Sequence, residues 1–205
     1  MIDKIIKSIL AGVAIALGSI IYLLCPDKVA GAFLFSIGIL LVMEYKLLLF
    51  TGYVPTQRTT QSIKEYFINS GIVFVGNVIG GAIAAVLIMQ TRLKDTLWEA
   101  TKAISEIKIT DSHLSVFILA IFCGIIIAGI VKATNLKKQV LYVGMMIATF
   151  ILCGYEHVVA NAFYLTASKT ILTGDGIIFM LVCMLGNFVG GALCSFVQSP
   201  NKNDN

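Results

Sequence analysis

The sequence predicts an all-α membrane protein: six transmembrane helices in two inverted three-helix repeats, the second and fifth of them broken. The first observation is composition. Of 205 residues, 58% are hydrophobic and only 13% charged, with a mean hydropathy of +0.93, a balance that suits lipid rather than water as the surrounding solvent. The second is a succession of six apolar stretches, at about 9–24, 29–50, 68–90, 114–131, 140–165 and 176–197. Each is close to the roughly 20 residues that a helix needs to cross the hydrocarbon. The third is repetition: Gly76-Asn77-Val78-Ile79-Gly80-Gly81-Ala82 returns 110 positions later as Gly186-Asn187-Phe188-Val189-Gly190-Gly191-Ala192. Three apolar stretches separate the copies, and an odd number of crossings turns the second upside down relative to the first.

The first stretch follows Lys4 and Lys7 like a signal peptide. It is long, however, lacks a small-x-small cleavage pattern, and its Leu24-Cys25 junction is a poor lipoprotein site, so a retained helix is expected. The second and fifth stretches carry polar interruptions. A shift of 110 lays residues 44–52 on residues 154–162. Charges at the bilayer centre cost about 2.5–3.5 kcal/mol each, and paired interruptions in two repeats point to a site between them. Both helices are therefore expected to break there and to face each other across a pore, since non-helical backbone at that depth needs protein or a watery cavity around it.

In the third and sixth stretches Gly76/Gly80 and Gly186/Gly190 have small-xxx-small spacing. They read as close-packing positions rather than ligand contacts, with Asn77 and Asn187 hydrogen-bonding between helices. Between the halves, residues 91–113 carry Trp98, Glu99, Lys102, Glu106 and Lys108 at helical charge spacing, as expected of an interfacial helix at the outer surface. The chain thus reads as a single transmembrane domain over 1–205: repeat 1 at about 1–90, connector at about 91–113, repeat 2 at about 114–198 and a polar, disordered tail at 199–205.

Charge orients the protein in the cell membrane. With both termini cytoplasmic, Lys4, Lys7, Arg58, Lys64, Lys132, Lys137, Lys138 and Lys202 lie inside, against Lys28, Arg92, Lys94, Lys102, Lys108 and Lys169 outside, mostly in one long connection, which counts less. A net charge of +4 without a polybasic cluster gives no reason to expect nucleic acid. Cys25, Cys123, Cys153, Cys183 and Cys194 show no CxxC spacing and read as small buried thiols, so neither metal nor cofactor is expected.

His157 is the sharpest chemical candidate, because it lies well inside the fifth stretch and imidazole exchanges a proton near neutral pH. A neutral ring bonded to a backbone carbonyl is the structural alternative. A polar ring at a repeat-matched interruption within a bilayer favours function. Glu156 points about 100° away around a helix and is expected to anchor the broken segment by accepting its backbone N–H groups. Lys108 reads from spacing alone as a solvated interfacial lysine, and His113 as an interfacial polar residue.

Phe35-Ser36-Ile37-Gly38, Leu49-Phe50-Thr51-Gly52, Gly154-Tyr155-Glu156-His157-Val158-Val159-Ala160-Asn161 and the two Gly-Asn-x-x-Gly-Gly segments together resemble the formate/nitrite transporter family, over nearly all six stretches. The resemblance implies an aquaporin-like fold, a homopentamer with one pore per protomer, and passage of small monovalent anions such as formate, nitrite or hydrosulfide. By the same resemblance His157 looks like the central pore histidine and Thr51 like the threonine bonded to it. Phe35, Ile39, Leu49 and Phe150 fall at the apolar constrictions, Lys108 looks like the lysine of the outer mouth, and Asn161 completes the histidine motif.

Three positions depart from that pattern. Leu48 stands where the family has Asp or Glu, Lys46 where a small residue is usual, and Gly124 where an asparagine is common. Glu44 is then a candidate for the missing carboxylate, with Lys46 as its partner if the backbone is irregular, since residues two apart on a helix do not meet. Lys46 otherwise snorkels to the cytoplasmic interface or faces the pore as a positive charge.

The expected function is a pore for small monovalent weak-acid anions, linked to protons through His157. The rival of the same broad class is an aquaporin-like neutral-solute channel. The rival of another class is an intramembrane enzyme using Glu156 and His157, which the scarcity of histidines and the lack of HExxH, paired-Asp or nucleophile-elbow patterns weigh against.

Overall fold

In the structure, a computed structural model, residues 1–58, 60–132 and 139–197 are described. The tail at 199–205 and the inside lysines Lys137, Lys138 and Lys202 lie outside the described residues. Among the described residues every regular element is an α-helix: α1 (Ile2–Leu24), α2 (Lys28–Leu34), α3 (Ser36–Glu44), α4 (Phe50–Gln57), α5 (Ile63–Ile88), α6 (Lys94–Thr110), α7 (His113–Lys132), α8 (Gln139–Leu152), α9 (Val158–Ala167) and α10 (Gly174–Val197). Four of them, α1, α5, α7 and α10, are long and apolar enough to cross a membrane on their own.

Helix starts are written in short-range chemistry. Asp27 accepts a hydrogen bond from the Ala30 N–H at 2.7 Å and opens α2, and Ser62 with Glu65 forms a reciprocal capping box that opens α5. The long helices pack in two equivalent pairs, α1 on α5 and α7 on α10. At Gly12 and Gly80 in the first pair, and at Gly124 and Gly190 in the second, an added Cβ would run into backbone of the facing helix. The repeated glycines therefore let two backbones touch, and Gly124 is one of these crossing positions.

The stretches that separate α3 from α4 and α8 from α9 follow one design. At the end of α3, Lys46 N–H bonds to the Met43 carbonyl and Leu47 N–H to the Val42 carbonyl; at the end of α8, Gly154 N–H bonds to Ile151 and Tyr155 N–H to Phe150. Lys46 (φ 50°) and Gly154 (φ 70°) both take the left-handed conformation that closes a helix C-terminus. Leu49 and His157 then lead, with extended backbone, into α4 and α9.

These matches run at an offset of 108, not 110, because Phe50 and Val158 are the equivalent helix starts. The 110-residue register, anchored on the glycine repeats, misaligns the interruptions by two residues. Lys46 is thus the counterpart of Gly154, Leu48 of Glu156 and Leu49 of His157.

An asparagine secures each interruption. Asn77 accepts from the Phe50 N–H at 2.7 Å while its amide nitrogen donates to the carbonyls of Ser8 and Leu48. Asn187 accepts from the Val158 N–H at 2.9 Å and donates to the carbonyls of Ala120 and Glu156. Helix-start donors and interrupted carbonyls that would otherwise be orphaned in the interior are satisfied by one side chain.

Candidate functional site

Two cavities approach the same buried layer from opposite faces. One opens on the face of the α1 N-terminus, hereafter the near face; it has about 170 Å³ and is lined by Ile39, Lys46, Leu48, Leu49, Tyr53 and Gln57 among others. The other opens on the far face, has about 230 Å³, and is lined among others by Tyr22, Phe35, Lys108, Phe150, Glu156 and His157. The equivalent segments 46–49 and 154–157 line one cavity each.

Between them lies His157, 2% exposed, with Thr51, fully buried, as its partner: Thr51 Oγ1 stands 3.0 Å from His157 Nε2. His157 Nδ1 accepts the Ala160 N–H at 3.2 Å and so caps α9. That bond fixes the neutral tautomer, since a nitrogen accepting from an amide carries no proton; Nε2–H donates to Thr51, and the threonine hydroxyl hydrogen is left to turn elsewhere. Burial among apolar groups makes each unmet donor here worth satisfying.

Apolar side chains flank the pair. Phe150 tilts against the His157 ring with centroids 6.1 Å apart, and Phe35 meets Phe150 edge-on at 5.9 Å. Ile39 and Leu49, both buried, line the near-face cavity. Phe35 itself sits at the junction of α2 and α3.

Lys108 and Glu156 form an ion pair at 2.5 Å, with the carboxylate nearly buried. The Glu156 carboxylate also accepts from Asn161 Nδ2 at 2.7 Å. Its partners are side chains rather than the backbone N–H groups expected for it. The lysine arrives on α6, which packs on α9 through Ser105 and Ser168, so the connector delivers a charge to the far-face cavity. Asn161 additionally lies 3.5 Å from the buried Cys183 Sγ.

Glu44 and Lys46 do not pair. Both are exposed, and among the described residues the ion pairs are Lys108–Glu156 and Lys7–Asp3. The irregular backbone that such a pair needs is present, and Lys46 lines both the near-face cavity, which Glu44 does not, and a second cavity that the two residues share without bonding. The expected rescue of the missing carboxylate by Glu44 is therefore corrected. Cys153 likewise departs from expectation, being exposed, whereas Cys123 and Cys183 are buried; all five cysteines are free.

Sequence reasoning missed Tyr53, Thr56 and Gln57, which line one wall of the near-face cavity. Their spacing of three and four along α4 was the available signal. It also took Asn77 and Asn187 for helix–helix contacts without seeing that they cap α4 and α9.

A chain whose regular elements among the described residues are all helices, with four of them long and apolar enough to cross a membrane, a twofold internal design and a cavity on each face, is a polytopic membrane transport protein. The formate/nitrite transporter family model matches residues 1–199, and the chain belongs to that family. It is 30% identical over 183 residues to the uncharacterized transporter YrhG of Bacillus subtilis (strain 168), covering 82% of this chain and 68% of that protein. It is also 30% identical over 152 residues to the formate channel FocA of Haemophilus influenzae, covering 66% of this chain and 52% of that one. Among solved structures, a pentameric formate channel with formate bound superposes with a TM-score of 0.83 at 24% identity, over 95% of this chain and 93% of that chain. An ion channel of the same family superposes with a TM-score of 0.83 at 20% identity, over 97% and 91%. The matched relatives are transporters and channels, and the protein is not an enzyme.

Proposed function

We propose that the protein is a pore for small monovalent weak-acid anions of the formate, nitrite or hydrosulfide class, with proton-linked passage centred on His157. In this reading α2, α3 and α4 together make one interrupted span and α8 with α9 another, completing six spans in two inverted halves with both termini cytoplasmic. The near face is then the cytoplasmic one. A homopentamer in the cell membrane follows the similar pentameric formate channel.

The observation that carries the reading is a buried imidazole N–H held by a threonine between two opposed cavities and walled by Phe35, Phe150, Ile39 and Leu49. A bare anion in such apolar surroundings costs many kcal/mol. Lys108, held by Glu156, whose carboxylate also accepts from Asn161, receives the anion at the far mouth; the apolar walls strip its water. Nε2–H of His157 then exchanges Thr51 for the anion, which crosses most readily once protonated to the neutral acid. Flux rises as pH falls, because the neutral fraction of a weak acid rises.

The test is His157→Phe and His157→Asn in proteoliposomes, assayed with formate, nitrite and hydrosulfide at two pH values. Loss of uptake and of its pH dependence is expected. Unchanged uptake and unchanged pH dependence for every anion would overturn the reading, and glycerol or water flux without anion flux would point to a neutral-solute channel.

A further inference from the structure

We propose that Lys46, whose charge is uncompensated where Lys108 at the far mouth is paired with Glu156, makes the near-face cavity the stronger anion-loading site, so that the two mouths saturate at different anion concentrations. The inference rests on the transport reading above and adds a sidedness to it.

Three observations carry it. First, charge is distributed unequally. The far-face cavity holds Lys108 and Glu156 locked together at 2.5 Å, a cation and an anion that cancel. In the near-face cavity the counterpart of Glu156 is Leu48, and Lys46 is the one charged side chain of the lining, with no carboxylate partner among the described residues.

Second, Lys46 occupies a backbone position that does not favour it. Its φ of 50° is tolerated by glycine, and the other half of the molecule has Gly154 at the equivalent place. Lys169 closes α9 with the same backbone (φ 61°), so the geometry belongs to helix ends in general; what sets position 46 apart is a cationic side chain at the cavity lining where the equivalent position of the other half has none. Residues 46 and 154 both line their cavities, so the near-face lining carries a lysine where the far-face lining carries a glycine.

Third, a hydrogen-bond donor is available in the same wall. Gln57 Oε1 accepts from Thr60 at 3.1 Å and from Gln61 at 3.2 Å, which fixes the orientation of the amide. Its Nε2 is left with a long contact to Thr56 Oγ1 at 3.5 Å. An ammonium and a primary amide N–H₂ lining one half-open apolar cup suit a small, planar, singly charged oxyanion; a dianion would need a second cation.

The consequence concerns saturation and not direction. In a passive pathway microscopic reversibility makes the limiting permeability equal from both sides. A site at one mouth therefore lowers the half-saturation concentration on that side and lowers its maximal rate in proportion. One unscreened positive charge several ångströms from the bound ion corresponds to about a three- to tenfold change in local occupancy.

The experiment measures formate and nitrite uptake against concentration in right-side-out and inverted membrane vesicles, at fixed pH, for the unaltered protein, Lys46→Asn, Lys46→Gly and Lys46→Arg. Asn and Gly both suit the left-handed backbone, so charge is removed without adding strain. The half-saturation concentration is expected to be lower on the Lys46 side and to rise about three- to tenfold there in Lys46→Asn and Lys46→Gly, with the far side unchanged. Lys46→Arg retains the asymmetry, and added impermeant salt weakens it in the unaltered protein and in Lys46→Arg. Equal half-saturation from both sides in the unaltered protein, or a near-side value indifferent to Lys46→Asn and Lys46→Gly, overturns the inference while the transport reading stands. Absence of anion flux in the unaltered protein overturns both.

Discussion

Leu49 and His157 hold the same place in the two halves of the molecule: each is an extended residue (φ −94°, ψ 128° and φ −103°, ψ 108°) that leads into a short helix whose first N–H is taken by an asparagine side chain. One backbone device thus presents an apolar side chain in one half and an imidazole in the other. The second half supplies the chemistry, and the first supplies Thr51 to meet it, at 3.0 Å.

The threonine contact can be isolated by Thr51→Val, which keeps the shape and removes the hydroxyl. A single buried hydrogen bond to a neutral ring is worth about 0.5–1.5 kcal/mol, so anion flux is expected to fall between about twofold and tenfold with folding intact. Thr51→Ser should retain most of the flux. Equal flux in Thr51→Val and the unaltered protein, in proteoliposomes of matched protein content, would refute a role for this contact.

Lys108 and Glu156 are predicted to be strongly coupled. Removing either partner strands a largely buried charge, at about 3–5 kcal/mol, whereas removing both is much milder. In detergent-solubilised protein Lys108→Met alone and Glu156→Gln alone should each lower thermal stability more than the double variant does. Additive losses across the cycle would mean that the two side chains are not paired in the folded protein.

Asn187→Leu leaves the Val158 N–H and the carbonyls of Ala120 and Glu156 without their partner. At about 1–3 kcal/mol for each stranded group, severe loss of thermal stability and of expression is expected. Asn69→Leu is the comparison, since Asn69 makes two such bonds, to Lys4 and Gln61, against the three of Asn187, and in a partly exposed network. Comparable losses in the two variants would count against the buried clamp.

Gly190→Ala drives a methyl group into the Ile121 carbonyl across the α7–α10 crossing, while Gly129→Ala meets only Met146 and Tyr142 side-chain atoms at 3.7 Å. The first should separate the helices and cost about 1–3 kcal/mol as an overpacked contact. The second should be neutral or stabilising by up to about 1 kcal/mol, because alanine is the better helix former. Melting temperatures of the two variants decide it; indistinguishable values would contradict the close crossing.

Much of this architecture is legible in the sequence because lipid imposes long apolar runs, and close helix contact imposes glycines at a fixed spacing. The crossing positions Gly80 and Gly190 follow from the repeat alone. What the repeat hides is that insertions of two residues are absorbed between equivalent elements. Asn77 lies 27 residues after Phe50, and Asn187 lies 29 after Val158, so an alignment made on the glycines pairs the wrong residues at the interruptions. With that error Leu48 is not seen as the counterpart of Glu156, and Glu44 looks like a substitute carboxylate although its side chain is exposed. The Lys108 contact could not be read from spacing, because it joins residues 48 apart through the docking of α6 on α9.

The asparagine clamps also bear on how the proposed conduit selects. Each amide grips the carbonyl end of one segment, the amide start of the next and a neighbouring long helix at once, so the discontinuities in this chain are stiff joints rather than hinges. A stiff joint keeps a bore of constant calibre. Sorting then falls to the dimensions of the solute and the ease with which it sheds its hydration shell, and raising the temperature should speed all permeant species without blurring the order among them.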